Sequence, residues 1–463
     1  MEQLQRKVES LQQEMLQSIK ESVAIPSVQG EAKPGQPFGA AVAEALEHAL
    51  GVAGKMGLKT KNLDGYIGYA EYGDGEEYVA VLGHLDVVPE GDGWQHPPFG
   101  CEVHDGKMYG RGVLDDKGPL FAALYGLKAV KELGLPLSKR VRIIFGTNEE
   151  TGCLDAAYYT EREPAPAAGF TPDASFPVIH AEKGIVNFEL KSSFQAAQKG
   201  EIILNRLDGG RLPNMVPDYC EAVLTCSAPD TVVAACSDYA QRKNCEISAV
   251  CDGNTVNVTA RGLGAHGSTP ELGVNAAMLM VDFLQGLQIA GGVSEALHKL
   301  QKAIGEETNG ASLGIACQDE PSGLLTNNLG ILKIDETSMT ATCNVRYPVT
   351  LKFEDLLAKL EQGVAALGLT LVCRKPHLPL YFPKDHPLVA TLLRIFEEQT
   401  GIKAAPLAIG GGTYAKTMSN VVAYGPEFPG TPGCCHEPNE QMALDELLLS
   451  AKIYAQAIYE LAR

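Results

Sequence analysis

Aromatic side chains are scarce in this 463-residue sequence: they make up 6% of it, with a single tryptophan, Trp94. Surfaces that stack single-stranded nucleic acid depend on such rings, so that class of function is disfavoured. Positive charge is also in deficit. The formal net charge is -19, which repels phosphate backbones and anionic membranes and mainly favours solubility. Nowhere do about 18 apolar residues run consecutively, so no membrane span is expected. The twelve cysteines are scattered and none forms a C-x-x-C pair. Free thiols in a reducing compartment, the cytoplasm, are the expected state. The glycine run in GGGTYAK (410–416) lacks the P-loop spacing and its G-K-[ST] ending, which excludes that mode of phosphate binding. No internal repeat and no low-complexity linker occurs.

Hydrophobic residues make up 45% of the chain, ample for buried cores, and the length implies two or three domains. Leu4, Val8, Leu11, Met15 and Ile19 recur at steps of three and four. They predict one apolar helix face rather than a secretory leader. YVAVLGHLD (78–86) reads as a buried strand. Leu120, Leu124, Leu127 and Lys131 mark a helical stripe closed by Gly134, and RVRIIFGTNEE (140–150) is another buried strand. This alternation predicts an α/β layer fold, whose functional residues gather beyond the strand ends. From about residue 187, VNFELKSSF, YCEAVLTC and TVNVTARG read as half-buried strands of an antiparallel layer, with two helices among them. After PLYFPKDHP the α/β character returns. VVAYGPEF is expected as a strand, and a final helix from about Asn439 to Ala462, capped by Asn439 with Glu440 at its positive end. The expected organisation is a discontinuous catalytic domain (1–186 and 384–463) with an inserted domain (187–383).

Two imidazoles and several carboxylates stand near the strand ends: His84, Asp86, Asp115, Asp116, Glu149, Glu150, Asp173 and His436. This is the donor set zinc takes when thiolates are absent. A two-metal site needs ions roughly 3.5–4 Å apart around one water. One bridging carboxylate, with one histidine and one further carboxylate per ion, would suffice. In His84-x-Asp86, residues i and i+2 share a strand face, so Asp86 is expected behind the His84 ring, fixing its tautomer. An H-x-D triplet is common by chance. The adjacent Glu149 and Glu150 are more informative: they point different ways, leaving one to bind metal and the other to move protons.

GHLDVVPEGDGW, GRGVLDDKGP, GTNEETG, TPDASFP and CCHEPNE resemble, in order, the signature blocks of the aminoacylase-like di-zinc peptidases, and most closely its PepV-type dipeptidases. The resemblance implies a zinc-peptidase catalytic domain with a mixed sheet flanked by helices, and an inserted α+β lid with an antiparallel sheet. It implies two zinc ions per chain, with manganese or cobalt as acceptable substitutes. His84 and Asp173 would hold one ion, Glu150 and His436 the other, with Asp115 between them and a cis Asp115–Asp116 peptide. Glu149 would be the general base and Asp86 the partner of His84. From the lid, His266 in RGLGAHG would reach the scissile carbonyl, Asn214 in RLPNMVP would lie near the substrate, and Arg346 in CNVRYP would clamp its carboxylate. Gly411 and Thr413 belong to the GGGTYAK loop, whose backbone N–H groups would help hold the same group. The long span from 187 to 383 matches the lid of PepV-type enzymes rather than the shorter lid of dimeric relatives, which implies a monomer.

The activity implied is aminopeptidase-type hydrolysis of free dipeptides, with a small peptide as the partner and neither nucleic acid nor membrane. Alternatives are an N-acyl amino acid deacylase, such as a desuccinylase or deacetylase, and a non-catalytic metal-binding scaffold. Glu149 argues against the scaffold, which has no use for a base beside its ligands. His48, His96, His104, His298, His377 and His386 match no motif and are expected at the surface or in packing. His180 is expected to be structural, and Cys434 and Cys435 to be small packing residues.

Overall fold

The computed structural model describes residues 1–197, 201–431 and 433–463. The chain divides into two compact units. The first comprises Met1–His180, Phe382–Leu407 and Thr413–Arg463, and the second Ala181–Tyr381 with Ala408–Gly412.

The first unit is built on a mixed sheet. At its centre Tyr78–His84 lies parallel to both Arg140–Gly146 and Ala168–Thr171, and Val421–Ala423 extends the parallel set. Ile67–Tyr72 and Lys59–Leu63 continue it antiparallel on the other side. Every residue of Tyr78–His84 is buried, as expected of a strand covered on both faces. The helix Lys117–Glu132 is buried from Lys117 to Val130, more completely than a single stripe predicts. At Gly126 a Cβ would sit 3.0 Å from the Ala455 nitrogen, so the missing side chain allows this helix to approach the C-terminal helix Leu444–Ala462 closely. The N-terminal apolar face is split between two helices, Glu2–Ser10 and Gln12–Val23. Leu4, Val8, Leu11, Met15 and Ile19 are all buried.

Near the C-terminus two expectations are corrected. The last helix starts at Leu444, not at Asn439, and a short strand, Gln441–Ala443, precedes it. Asn439 has a φ of 62° and its side-chain oxygen accepts Gln95 N–H at 2.6 Å. It pins a distant loop instead of capping a helix. VVAYGPEF is likewise not one strand but two short ones, Val421–Ala423 and Pro426–Glu427, interrupted by Gly425 at φ 77°.

The second unit carries an eight-stranded antiparallel sheet in the order Glu246–Asp252, Thr255–Arg261, Tyr219–Cys226, Ile202–Gly209, Thr326–Ile334, Ser338–Tyr347, Gly184–Ser193 and Thr370–Cys373. Burial alternates along Gly184–Ser193, Tyr219–Cys226 and Thr255–Arg261, the pattern of a sheet covered on one face. Among the described residues this unit has four α-helices, Pro229–Lys243, Ala276–Gln285, Val293–Ala303 and Phe353–Ala366, where two were expected. Their apolar residues join those of the sheet in one core. No helix of the described residues is long and apolar enough to cross a membrane.

Candidate metal centre

Three neighbouring parallel strands deliver side chains to one edge of the first unit's sheet. His84 ends Tyr78–His84, Glu149 and Glu150 follow Arg140–Gly146, and Asp173 follows Ala168–Thr171. Asp115 comes from the loop before the helix Lys117–Glu132, next to a cis Asp115–Asp116 peptide. His436, at φ 64°, comes from the segment after Pro426–Glu427.

These side chains form two donor groups: His84, Asp115 and Asp173; and Asp115, Glu150 and His436. Asp115 belongs to both. Its Oδ1 lies 3.0 Å from His84 Nε2, and its Oδ2 lies 3.0 Å from His436 Nε2. Asp173 Oδ2 stands 3.7 Å from His84 Nε2, and Glu150 Oε2 stands 3.2 Å from His436 Nε2. Glu149 is in neither group. Nitrogen and carboxylate donors without thiolate suit borderline divalent ions, so the residues fit a pair of them.

The electrostatics point the same way. Burial disfavours a charged His84, yet Asp115, Asp173 and Asp86 outweigh it and raise its pKa well above 6.5. Asp115 and Glu150 raise His436 to about 10. Burial, with the charge of Asp115, lifts Asp173 to about 7. Burial, with Asp173, raises Glu149 well above 4.5. The carboxylates gathered around both histidines favour positive charge there.

Surrounding residues fix the donors. His84 Nδ1 lies 2.9 Å from the main-chain oxygen of Asp86. That bond takes the Nδ1 proton and leaves Nε2 as a lone-pair donor. The expected partner, the Asp86 carboxylate, is farther from the ring, at 3.5 Å. Besides facing the ring, it accepts the backbone N–H groups of Glu149 and Glu150, at 3.2 and 3.1 Å. Asp116 accepts His84 N–H at 3.2 Å, an approach that requires Gly83, where a Cβ would lie 2.3 Å from Asp116 Oδ2.

Sequence reasoning missed several of these supports. Glu440, expected as a helix-end charge, is fully buried. It accepts the N–H groups of Gly112, Leu114 and Asp115 at 3.0, 2.9 and 3.1 Å, and Arg111 Nη1 at 2.8 Å. It thereby moulds the loop that presents Asp115. Asp155 accepts Thr147 N–H and Asn148 N–H, at 2.6 and 3.0 Å, just before the two glutamates, and also the Tyr414 hydroxyl. Only the CCHEPNE block, which carries Glu440 two residues beyond its proline, hinted at any of them.

In the second unit, Arg346 stands on Ser338–Tyr347 and is 5% exposed. Its Nε donates to Asn344 Oδ1 at 2.7 Å and its Nη1 to the Gly410 carbonyl at 3.2 Å. Both acceptors are neutral. Asn344 is itself held by Asn187 at 2.6 Å. His266 and Asn214 sit on adjacent loops, since Gly267 N–H donates to the Asn214 carbonyl at 2.7 Å and Met215 bridges His266. Asn328, also unread in the sequence, donates to the carbonyls of Pro213 and Met215, both at 2.9 Å. His266 is exposed, yet partial desolvation and the charge of Arg346 hold its pKa below 6.5. Ser268 N–H approaches His266 Nδ1 at 3.4 Å and Ser268 Oγ at 2.6 Å. With Nδ1 as the acceptor, the neutral ring carries its proton on Nε2.

Gly411 belongs to the second unit and Thr413 to the first. The Thr413 hydroxyl caps the short helix Tyr414–Thr417 by accepting Ala415 N–H at 3.2 Å. His180 is buried and bonded through Nδ1 to the Phe382 carbonyl at 2.7 Å. Cys434 and Cys435 pack against the first unit's core, and burial raises both thiol pKa values.

Residues 80–460 match the sequence profile of peptidase family M20/M25/M40. The protein YtjP of Bacillus subtilis strain 168 is 39% identical over 455 residues, 97% of this chain and 98% of its own. The Beta-Ala-Xaa dipeptidase of Lactobacillus delbrueckii subsp. lactis is 34% identical over 456 residues, covering 97% of this chain and 96% of its own. Among solved structures, human carnosine dipeptidase 1 shares the fold at a TM-score of 0.58 and 15% identity, covering 99% of both chains. Aminoacylhistidine dipeptidase from Vibrio alginolyticus does so at 0.59 and 14%, covering 97% of this chain and 96% of its own.

Proposed function

The chain belongs to peptidase family M20/M25/M40, and on that premise we propose that it is a two-metal dipeptidase acting as an aminopeptidase on free dipeptides. The observation that carries the reading is Asp115, whose two carboxylate oxygens each stand 3.0 Å from the histidine of a different donor group. We assign His84 and Asp173 to one ion, Glu150 and His436 to the other, and Asp115 to both. Zinc is the proposed metal, and manganese and cobalt suit the same donors.

Two divalent ions held there would lower the pKa of a shared water and polarise a peptide carbonyl. Glu149, beside the donors but outside both groups, would take the water's proton and pass it to the leaving amine. Asp86 holds Glu149 and Glu150 in place through their N–H groups. His266, protonated on Nε2, would donate to the carbonyl oxygen as charge develops. Arg346, whose present acceptors are neutral, retains its charge for the substrate carboxylate, a match its planar fork is suited to make. Asn214 and the Gly411–Thr413 loop complete the proposed substrate contacts.

The first unit is read as the catalytic part and the inserted second unit as the lid, and the chain is read as a cytoplasmic monomer. Its twelve free thiols support a reducing compartment. The name of the Lactobacillus relative adds β-alanyl dipeptides to the substrates to be tested. The deciding experiment assays α-dipeptides, β-alanyl dipeptides and N-acyl amino acids with added zinc, manganese or cobalt. Turnover of dipeptides is expected. Turnover of N-acyl amino acids alone would replace this reading with a deacylase, and no turnover of any would leave a binding protein.

A further inference from the structure

The hairpin at Glu102–Tyr109 carries a second constellation of metal-binding type, apart from the centre described above. Its strands, Glu102–His104 and Lys107–Tyr109, pair with Glu102 opposite Tyr109 and His104 opposite Lys107. The two turn residues, Asp105 and Gly106, have φ of 48° and 75°. Positive φ at both positions matches the strand twist and fixes the register. Residues two apart on a strand share a face, so Glu102 and His104 project together, and His104 Nε2 lies 2.9 Å from Glu102 Oε2. His96, from the preceding segment, brings its Nδ1 to 3.8 Å from the same oxygen. Its ring packs on Tyr109 at 4.3 Å and on His104 at 4.5 Å between centroids. All three ligand atoms lie within 4.8 Å of one another.

The arrangement is anchored from behind. Gln95 N–H donates to Asn439 at 2.6 Å, and Gly100 N–H to the Pro97 carbonyl at 2.9 Å, so the backbone on both sides of His96 is tied. A tetrahedral ion with ligands at about 2.0–2.2 Å sets its ligand atoms about 3.4 Å apart. The observed 2.9 and 3.8 Å straddle that value. The two imidazole planes are inclined by only 26°, so occupancy requires one ring to turn, and His104, with 48% of its side chain exposed, has room to do so. An exposed histidine–glutamate hydrogen bond needs no third member. The second imidazole converging on the same carboxylate oxygen is what sets this group apart.

We propose that His96, Glu102 and His104 form a third divalent-metal site, taking zinc, cobalt or nickel, with water completing the shell. Two imidazoles and one carboxylate favour these borderline ions over magnesium or calcium, which take all-oxygen shells. The site shares no side chain with the paired centre. An ion there clamps the segment around His96 onto the hairpin. The same hairpin pairs with Gln441–Ala443, the strand just after His436 and Glu440, so the clamp also stiffens the support of that loop.

The test counts zinc bound by metal-depleted full-length protein at equilibrium dialysis near neutral pH. The His96→Ala/His104→Ala variant should bind one equivalent fewer than wild type. A His84→Ala/His436→Ala variant should keep one equivalent and gain melting temperature on zinc addition. Combining all four substitutions should abolish that gain. Because imidazole must be deprotonated to ligate, the extra equivalent should be lost on acidification. Equal zinc content in wild type and His96→Ala/His104→Ala would overturn the proposal, whether or not His84→Ala/His436→Ala folds. Failure of the paired-centre assignment would show separately, as unchanged zinc content in His84→Ala/His436→Ala.

Discussion

The carboxylate of Asp86 accepts the backbone N–H of Glu150 at 3.1 Å and, with its other oxygen, that of Glu149 at 3.2 Å. One buried acid thus sets the direction of both glutamates, while its main-chain oxygen orients His84. Asp86→Ala should lower stability by about 1–3 kcal/mol, the cost of leaving buried donors unpaired, and should lower kcat as well. Asp86→Asn keeps one acceptor oxygen and should fall between the two in both thermal melts and kinetics. An alanine variant with wild-type kcat would remove Asp86 from any positioning role.

Glu149→Gln should lower kcat by at least about 10²–10⁴-fold, the usual contribution of a general base, with metal content unchanged by elemental analysis. Loss of metal in this variant would mean that Glu149, not Glu150, is the ligand.

Arg346→Lys should raise KM for free dipeptides by about tenfold or more, because a point charge replaces a planar fork. C-terminally amidated dipeptides should be poor substrates for the unaltered protein. Steady-state assays showing equal kcat/KM for amidated and free dipeptides would exclude the carboxylate clamp.

His266→Ala should reduce kcat by about 10²–10³-fold, typical of one lost oxyanion donor, with a much smaller change in KM. Its metal content and melting temperature should match wild type, since the exposed ring belongs to neither donor group. Wild-type kcat in this variant would leave the oxyanion without help from the lid.

Glu163 tests the stability of the first unit apart from its chemistry. Arg142 donates to Glu163 at 2.8 Å and to Glu71 at 2.7 Å, and Lys61 donates to Glu163 at 2.6 Å. Burial pushes the Glu163 carboxyl up, but Lys61 and Arg142 outweigh it and hold its pKa below 4.5. A depressed carboxyl pKa contributes stability that is fully present above the unfolded value and is lost as pH falls through the folded one. Glu163→Gln should therefore melt below wild type at neutral pH, and the two curves should converge in acid. A gap in melting temperature that stays constant with pH would show that the lost stability is not electrostatic.

Local patterns in the sequence determined the central strands, the helix after Lys117 and the alternating strands of the second unit, because burial imposes a period of two or 3.6 on neighbouring residues. The spacing of the motif blocks marked His84, Asp115, Glu149, Glu150, Asp173 and His436 as a group, since those residue types have little reason to cluster at strand ends except for chemistry. The roles of Asn439 and Glu440 were beyond the reach of such patterns. Local rules make an Asn-Glu pair before an apolar run a helix start, but Glu440 meets the N–H groups of Gly112, Leu114 and Asp115, more than 300 positions away. Period-two reasoning aimed the Asp86 carboxylate at His84, and it stands 3.5 Å from Nδ1, but the N–H groups of Glu149 and Glu150 that it also meets were beyond such reasoning. Periodicity records which face a side chain takes within its own element. Which unpaired N–H groups a buried carboxylate meets depends on how separate elements are brought together, and only the folded chain decides that.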